Sequence, residues 1–278
     1  MALIDRNRSK RSPPMRRTLL ALLLCLPIAA HAQTAVQIPP LPVPGARMPS
    51  TPIPATFYLP PGSGKVGAII FLHGCGGLGN GHEMAQWAGR AVSWGYAALV
   101  PDSMTPRGHA NVCAPDQQQY VTAFDRSGDV IDAALWLRQQ PRIDQRIAVV
   151  GFSHGGGTAV TVTRKHFQEL HPGLLKASIA FYGPCRAPQF HGTVPLLALA
   201  GTADNWGNPA ETCAAFGEKL GADQPFKLVT YPGVVHAFDN DEITARKYNV
   251  GHPMQYSPSA TADSIKQVQA FLALYMKN

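Results

Sequence analysis

Apolar and polar positions follow two rhythms along this chain. Apolar strand-like runs occur at Val66–Leu72, Tyr96–Val100, Ile147–Val150, Ala177–Tyr182, Pro195–Ala200 and Phe226–Tyr231, and the four consecutive apolar residues of Ile147–Val150 suit a strand covered on both faces. Between them the spacing turns helical, predicting helices over His82–Trp94, about Tyr120–Gln139, His154–Gln168, Pro209–Leu220 and about Ala260–Met276. Strands and helices that alternate in this way need crossover connections. The expected fold is therefore α/β, with a mostly parallel central sheet flanked by helices on both faces. A first short strand is expected near Thr56–Leu59, preceded by an extended arm over residues 33–55, because nine prolines fall between Ile38 and Pro61. Residues 56–278 then form one domain, and no internal repeat is visible.

In such sheets the working groups lie at the carboxyl ends of the strands. The run Ile147–Val150 leads into Gly151-Phe152-Ser153-His154-Gly155, the G-x-S-x-G pattern of a nucleophile elbow, where a sharp strand-to-helix turn exposes the serine hydroxyl. Gly151 and Gly155 are needed because a β-carbon at either place would strike the neighbouring strand or helix as the turn closes. Alone, the pentapeptide also fits a glycine-rich turn with a serine cap. Two further strand ends carry partners. Pro195–Ala200 ends in Gly201-Thr202-Ala203-Asp204, and Phe226–Tyr231 leads into Pro232-Gly233-Val234-Val235-His236. Ser153, Asp204 and His236, in that chain order, make a joint signal for a nucleophile, an orienting acid and a general base. Asp102 and Asp239 are weaker candidates for the acid. The loop His73-Gly74-Cys75-Gly76-Gly77 is placed to supply a backbone N–H of an oxyanion hole from Cys75, with His154 supplying the other. The same glycines match G-x-G-x-x-G, a dinucleotide fingerprint that would leave the serine turn unexplained.

With these residues in view, the chain resembles the dienelactone hydrolase family of α/β-hydrolases. The resemblance rests on FLHGCGGLG at 71–79, DSMTPRG at 102–108, GFSHGGG at 151–157, FYGPC at 181–185, GTADNW at 201–206 and YPGVVHAF at 231–238. It implies catalytic roles for Ser153, Asp204 and His236, no metal and no cofactor. The family's namesake enzymes use a cysteine nucleophile, whereas this chain has Ser153, so the resemblance points to hydrolysis of esters or lactones rather than to a dienelactone in particular. An acyltransferase or peptidase on the same triad, a non-catalytic binding protein and a dinucleotide-binding protein are the competing readings. Arg107 stays outside the expected site, since a surface or ion-paired arginine competes with one that meets an acidic substrate. Only about a dozen residues, 183–194, separate two strands where a cap would be inserted, so no large lid is expected. The remaining histidines, His73, His82, His109, His166, His171 and His252, lack the spacing of metal ligands and are expected at the surface or behind the site.

Charge and cysteine content add an address. Met15-Arg16-Arg17, the apolar run Leu19–Ala30 and Ala30-His31-Ala32 have the form of a secretory signal peptide cut near Ala32. The apolar run is too short to span a membrane, so no stable membrane anchor is expected and the mature chain should be periplasmic or secreted. Met1 and Met15 are the two candidate start residues. Residues 1–32 hold six of the 24 Lys and Arg and one of the 17 Asp and Glu, which leaves 18 against 16. That balance gives no reason to expect a nucleic-acid partner, and a small-molecule ester or lactone is the expected one. Four cysteines remain, and four allow three pairings or four free thiols. In this fold the strands before Cys75 and before the Cys113 loop are neighbours, as are the strands before Cys185 and Cys213. The expected bonds are Cys75–Cys113 and Cys185–Cys213.

Overall fold

The structure, a computed structural model, describes residues 32–40 and 52–277. Both candidate start residues, part of the proline-rich arm and the expected signal peptide, all but Ala32 at its end, lie outside the described residues. Eight strands form one sheet: β1 (Ala32–Ile38), β2 (Ile53–Leu59), β3 (Val66–Leu72), β4 (Ala97–Pro101), β5 (Ile143–Phe152), β6 (Ala177–Phe181), β7 (Leu196–Gly201) and β8 (Phe226–Tyr231). Their spatial order is β1-β2-β4-β3-β5-β6-β7-β8. The pairs β1–β2 and β2–β4 are antiparallel and every other pair is parallel.

Alternation explains why the central strands read as unbroken apolar runs. Along β3, Ala68, Ile70 and Leu72 point into one core, while Ile69 and Phe71 point into the other. The first core is closed by α2 (Ala123–Arg138), α3 (His154–Thr161), α4 (Lys165–Leu170) and α5 (Pro209–Gly217), through residues such as Val130, Leu137, Val160, Phe167 and Phe216. The second is closed by α1 (His82–Ser93) and α6 (Pro258–Tyr275), through Trp87, Ala91, Val268 and Leu272. A sheet buried on both faces needs apolar side chains at odd and even positions alike.

Three segments depart from the pattern expected of the sequence. Residues 33–38, read as part of an extended arm, pair residue by residue with β2 and form an edge strand. The helix expected over His154–Gln168 breaks between α3 and α4. Val160, Thr161, Val162 and Thr163 are all β-branched, and three threonine hydroxyls bond backward to carbonyls of their own helix. The Thr163 carbonyl is then taken by the Gly192 N–H, which ends the ladder. Finally, a short hairpin, β9 (Lys247–Asn249) and β10 (His252–Met254), follows β8 in a stretch with no apolar pattern. A bridge from Met254 to His236 ties that hairpin to the loop after β8. Among the described residues, no helix is long and apolar enough to cross a membrane.

Candidate active site

The turn between β5 and α3 holds Ser153 at φ 55° and ψ −114°, a conformation that side-chain-bearing residues seldom adopt. Backbone packing enforces it. A β-carbon on Gly151 would overlap the Gly155 carbonyl, and one on Gly155 would overlap the Leu72 carbonyl of β3. The Ser153 N–H donates to the Phe181 carbonyl at 3.0 Å, which fixes the turn against β6 as well.

Two other strand ends deliver side chains to the same place. His236 Nε2 lies 2.8 Å from Ser153 Oγ, and His236 Nδ1 lies 2.7 Å from Asp204 Oδ2. Both His236 and Asp204 are buried. The second Asp204 oxygen accepts the Trp206 N–H at 2.8 Å, so the carboxylate cannot swing away from the ring. Trp206 packs on one part of the imidazole and Tyr182 meets it edge-on, with centroids 4.9 and 4.6 Å away. Asp102 takes no part, since its carboxylate caps the N–H groups of Met104 and Thr105. Asp239 instead accepts from the Trp87 indole and the Tyr182 hydroxyl.

The loop after β3 passes beside the serine, where a β-carbon on Gly74 would sit 3.5 Å from Ser153 Cβ. Cys75 and His154 line one cavity together with Ser153. Arg126 of α2 crosslinks the two segments that carry them. Fully buried, it donates to the His73 carbonyl and to His154 Nδ1, each at 2.9 Å. Burial, and then the Arg126 charge, hold both His73 and His154 near a pKa of about 3, so both rings stay neutral. Burial lowers Arg126 itself to about 10, which leaves it protonated at neutral pH. Its neighbour Asp129 forms a two-toothed pair with Arg107 at 2.8 and 2.9 Å, so Arg107 is committed to structure and does not reach the cavity. Cys75 is joined to Cys113 and Cys185 to Cys213, with Cα separations of 4.8 and 4.7 Å. Two disulfides suit an oxidising compartment.

The cavity at Ser153 has a volume of about 380 Å³, and Phe124, Arg164, Arg186 and Trp206 form much of its wall. A smaller one of about 150 Å³ lies beyond His236 and is bounded by Glu83, Asn249 and Met254. Among the described residues, no three His, Cys, Asp or Glu side chains converge as metal ligands would. Arg126, Tyr182, Glu83 and the two cavity arginines escaped the sequence reading. The first three sit on helices or at a strand end where a polar residue looks like a solvated one, Arg164 lies in the break between α3 and α4, and Arg186 lies in a loop with no motif.

Comparisons with known proteins bear on the family and the fold. The profile of the dienelactone hydrolase family matches residues 53–276. No curated protein matches the chain. Among solved structures, a dienelactone hydrolase-like promiscuous phosphotriesterase from metagenomic libraries superposes with a TM-score of 0.68 at 19% identity, covering 88% of this chain and 99% of its own. A dienelactone hydrolase of Anabaena variabilis gives 0.64 at 18%, covering 88% and 98%. Est1E of Butyrivibrio proteoclasticus, seen with ferulic acid bound, gives 0.60 at 16%, covering 87% and 99%. At these identities the structures speak for the α/β-hydrolase fold, and the family profile carries the assignment: the chain belongs to the dienelactone hydrolase family and is a carboxylic ester hydrolase.

Proposed function

We propose that the protein cleaves carboxylic esters, including lactones, through an acyl-enzyme on Ser153. The observation that carries this reading is the unbroken line from Asp204 Oδ2 through His236 to Ser153 Oγ, with contacts of 2.7 and 2.8 Å. His236 Nε2 takes the hydroxyl proton as Ser153 Oγ attacks the ester carbonyl. Asp204 accepts the Nδ1–H, which fixes the tautomer that leaves Nε2 free and stabilises the imidazolium as it forms. The oxyanion of the tetrahedral intermediate accepts the backbone N–H groups of Cys75 and His154, where the start of α3 adds its partial positive charge. The intermediate collapses, the C–O bond to the alcohol breaks, and the alkoxide leaves with the proton from His236. Water then repeats the sequence on the acyl-enzyme and releases the acid. With a lactone, the leaving alcohol stays attached to the acyl group.

Export to an oxidising compartment is part of the same proposal, since the cysteines that flank the cavity are bonded in pairs. A fluorophosphonate should label Ser153, and Ser153→Ala should lower kcat by about 10⁶, because triad members act as a unit. Labelling at another residue, or hydrolysis retained in Ser153→Ala, overturns the reading.

A further inference from the structure

Behind the imidazole lies a group of buried polar side chains that the hydrolytic cycle does not use. The Tyr182 hydroxyl is 2.7 Å from Asp239 Oδ1 and 3.0 Å from Glu83 Oε1. The other Asp239 oxygen accepts the Trp87 indole N–H at 2.7 Å. Tyr182, Asp239 and Trp87 are almost wholly buried, and Glu83 borders the small cavity beside His236. A phenol has one hydrogen and can donate to only one of two carboxylates. Were both acids ionised, one of these contacts would set an oxygen lone pair against an anion, around a phenol that is itself buried away from water. The arrangement therefore calls for one further proton.

Geometry says where it sits. Asp239 receives two donors, the indole and the nearer phenol contact, which is the setting of an anion. Glu83 has the longer contact and is left to donate its own O–H to the Tyr182 oxygen. We propose that Glu83, Tyr182 and Asp239 hold a shared proton at working pH, and that this chain, acting through the Tyr182 ring on His236, keeps the imidazole aimed at Ser153. Glu83 is thus a positioning residue, and its role rests on the reading of His236 as the base. Burial first, then the Asp239 charge, raises the Glu83 pKa to about 8. Burial also raises Asp239, against the pull of its two donors.

The charged groups around the cluster fit this distribution. From α1, Arg90 stacks over the Trp87 ring and favours the charge on Asp239. From the segment after β8, Glu242 disfavours charge on Glu83, while Asp241 is occupied with His82 at the surface. Across the Tyr182 ring stand His236 and Asp204. Above the Glu83 pKa a second negative charge enters the cluster with one phenolic proton for two anions. The contact is then relieved by movement of Tyr182 or Glu83, and the ring loosens from His236.

The test is a kcat and KM profile from pH 6 to 10 for the wild type, Glu83→Gln and Glu83→Ala, with infrared titration of the same proteins. Wild-type kcat is expected to fall about tenfold from pH 7 to pH 9, as one group with a pKa of about 8 loses its proton, with KM little changed. Glu83→Ala should lower kcat at pH 7, and Glu83→Gln should recover most of that loss, because its amide donates to the Tyr182 oxygen as the acid did. The alkaline fall should vanish in Glu83→Gln. The infrared carbonyl band of a protonated carboxylic acid should disappear over the same pH range in the wild type and be missing in Glu83→Gln. An alkaline fall that persists in Glu83→Gln, a kcat that rises with pH, or the lack of a titrating band overturns the proposal. The band also reports on the shared proton in Ser153→Ala, so failure of the triad reading and failure of this one are told apart.

Discussion

The two flanks of Ser153 are held by different chemistry. On the donor side, the loop after β3 and the start of α3 are tied by Arg126, two neutral histidines and the bond from Cys75 to Cys113. None of these changes its charge near neutral pH. On the base side, His236 rests between Asp204, Trp206 and a tyrosine that stands between the buried Asp239 and the half-buried Glu83. The difference matches the work each side is given in the proposed cycle. Backbone donors must stay where the oxyanion will appear and gain nothing from motion. An imidazole must take up and release a proton in every turnover, so its surroundings have to tolerate a changing charge.

Breaking the base side should cost most. Asp204→Asn is expected to fold normally and to lower kcat by about 10⁴, since the amide presents the wrong tautomer to Ser153; steady-state kinetics beside circular dichroism checks this. A near-normal rate would remove Asp204 from the cycle. The donor side is probed by Arg126→Met, which frees the His73 carbonyl and the His154 ring. We expect kcat to drop by about 10²–10³, comparable to losing one oxyanion donor, and stability to drop by about 1–3 kcal/mol for the acceptors left unpaired. If stability falls while kcat holds, Arg126 braces the fold and not the donors. Cys75→Ser with Cys113→Ser should act on stability more than on kcat, by about 2–4 kcal/mol in urea unfolding.

The mildest test is stability against pH. His73 and His154 have folded pKa values depressed to about 3, so the stability they confer is complete above the unfolded value near 6.5 and is lost as pH falls below it. Glu83 runs the other way. Its folded pKa is raised, so its contribution is complete below about 4.5 and is lost as pH rises through about 8. Thermal unfolding across pH should flatten on the acid side in His154→Gln and on the alkaline side in Glu83→Gln. Unchanged slopes would mean that folding shifts the pKa of neither group.

The sheet was legible where apolar runs mark it. β3 and β8 begin and end where the runs do, β6 ends one residue early, and β4 and β7 are each shifted by one residue, while β5 extends beyond its run at both ends because polar residues precede the run and Gly151 follows it. β1 was hidden because AQTAVQI is a mostly exposed edge strand with few apolar positions to mark it. β9 and β10 have three residues each and are held by backbone pairing, which leaves no trace in side-chain pattern. At the site, Ser153, Asp204 and His236 stood out because each is a reactive side chain in a loop at a strand end. Arg126 and Glu83 gave no such sign, since on α2 and α1 they look like ordinary surface positions. What turns them inward is contact with residues 28 and 99 positions away, at His154 and Tyr182.

The two disulfides also bear on how the chain reaches this state. Among the described cysteines the first bonds to the second and the third to the fourth, across separations of 38 and 28 residues. A polypeptide that emerges from a pore with its N-terminus leading shows an oxidant its cysteines one by one, and bonding each newcomer to the thiol already waiting produces the final pairs without reshuffling. Cys75 and Cys113 both precede Ser153, so the loop beside that serine can be sewn in place before the serine itself has arrived.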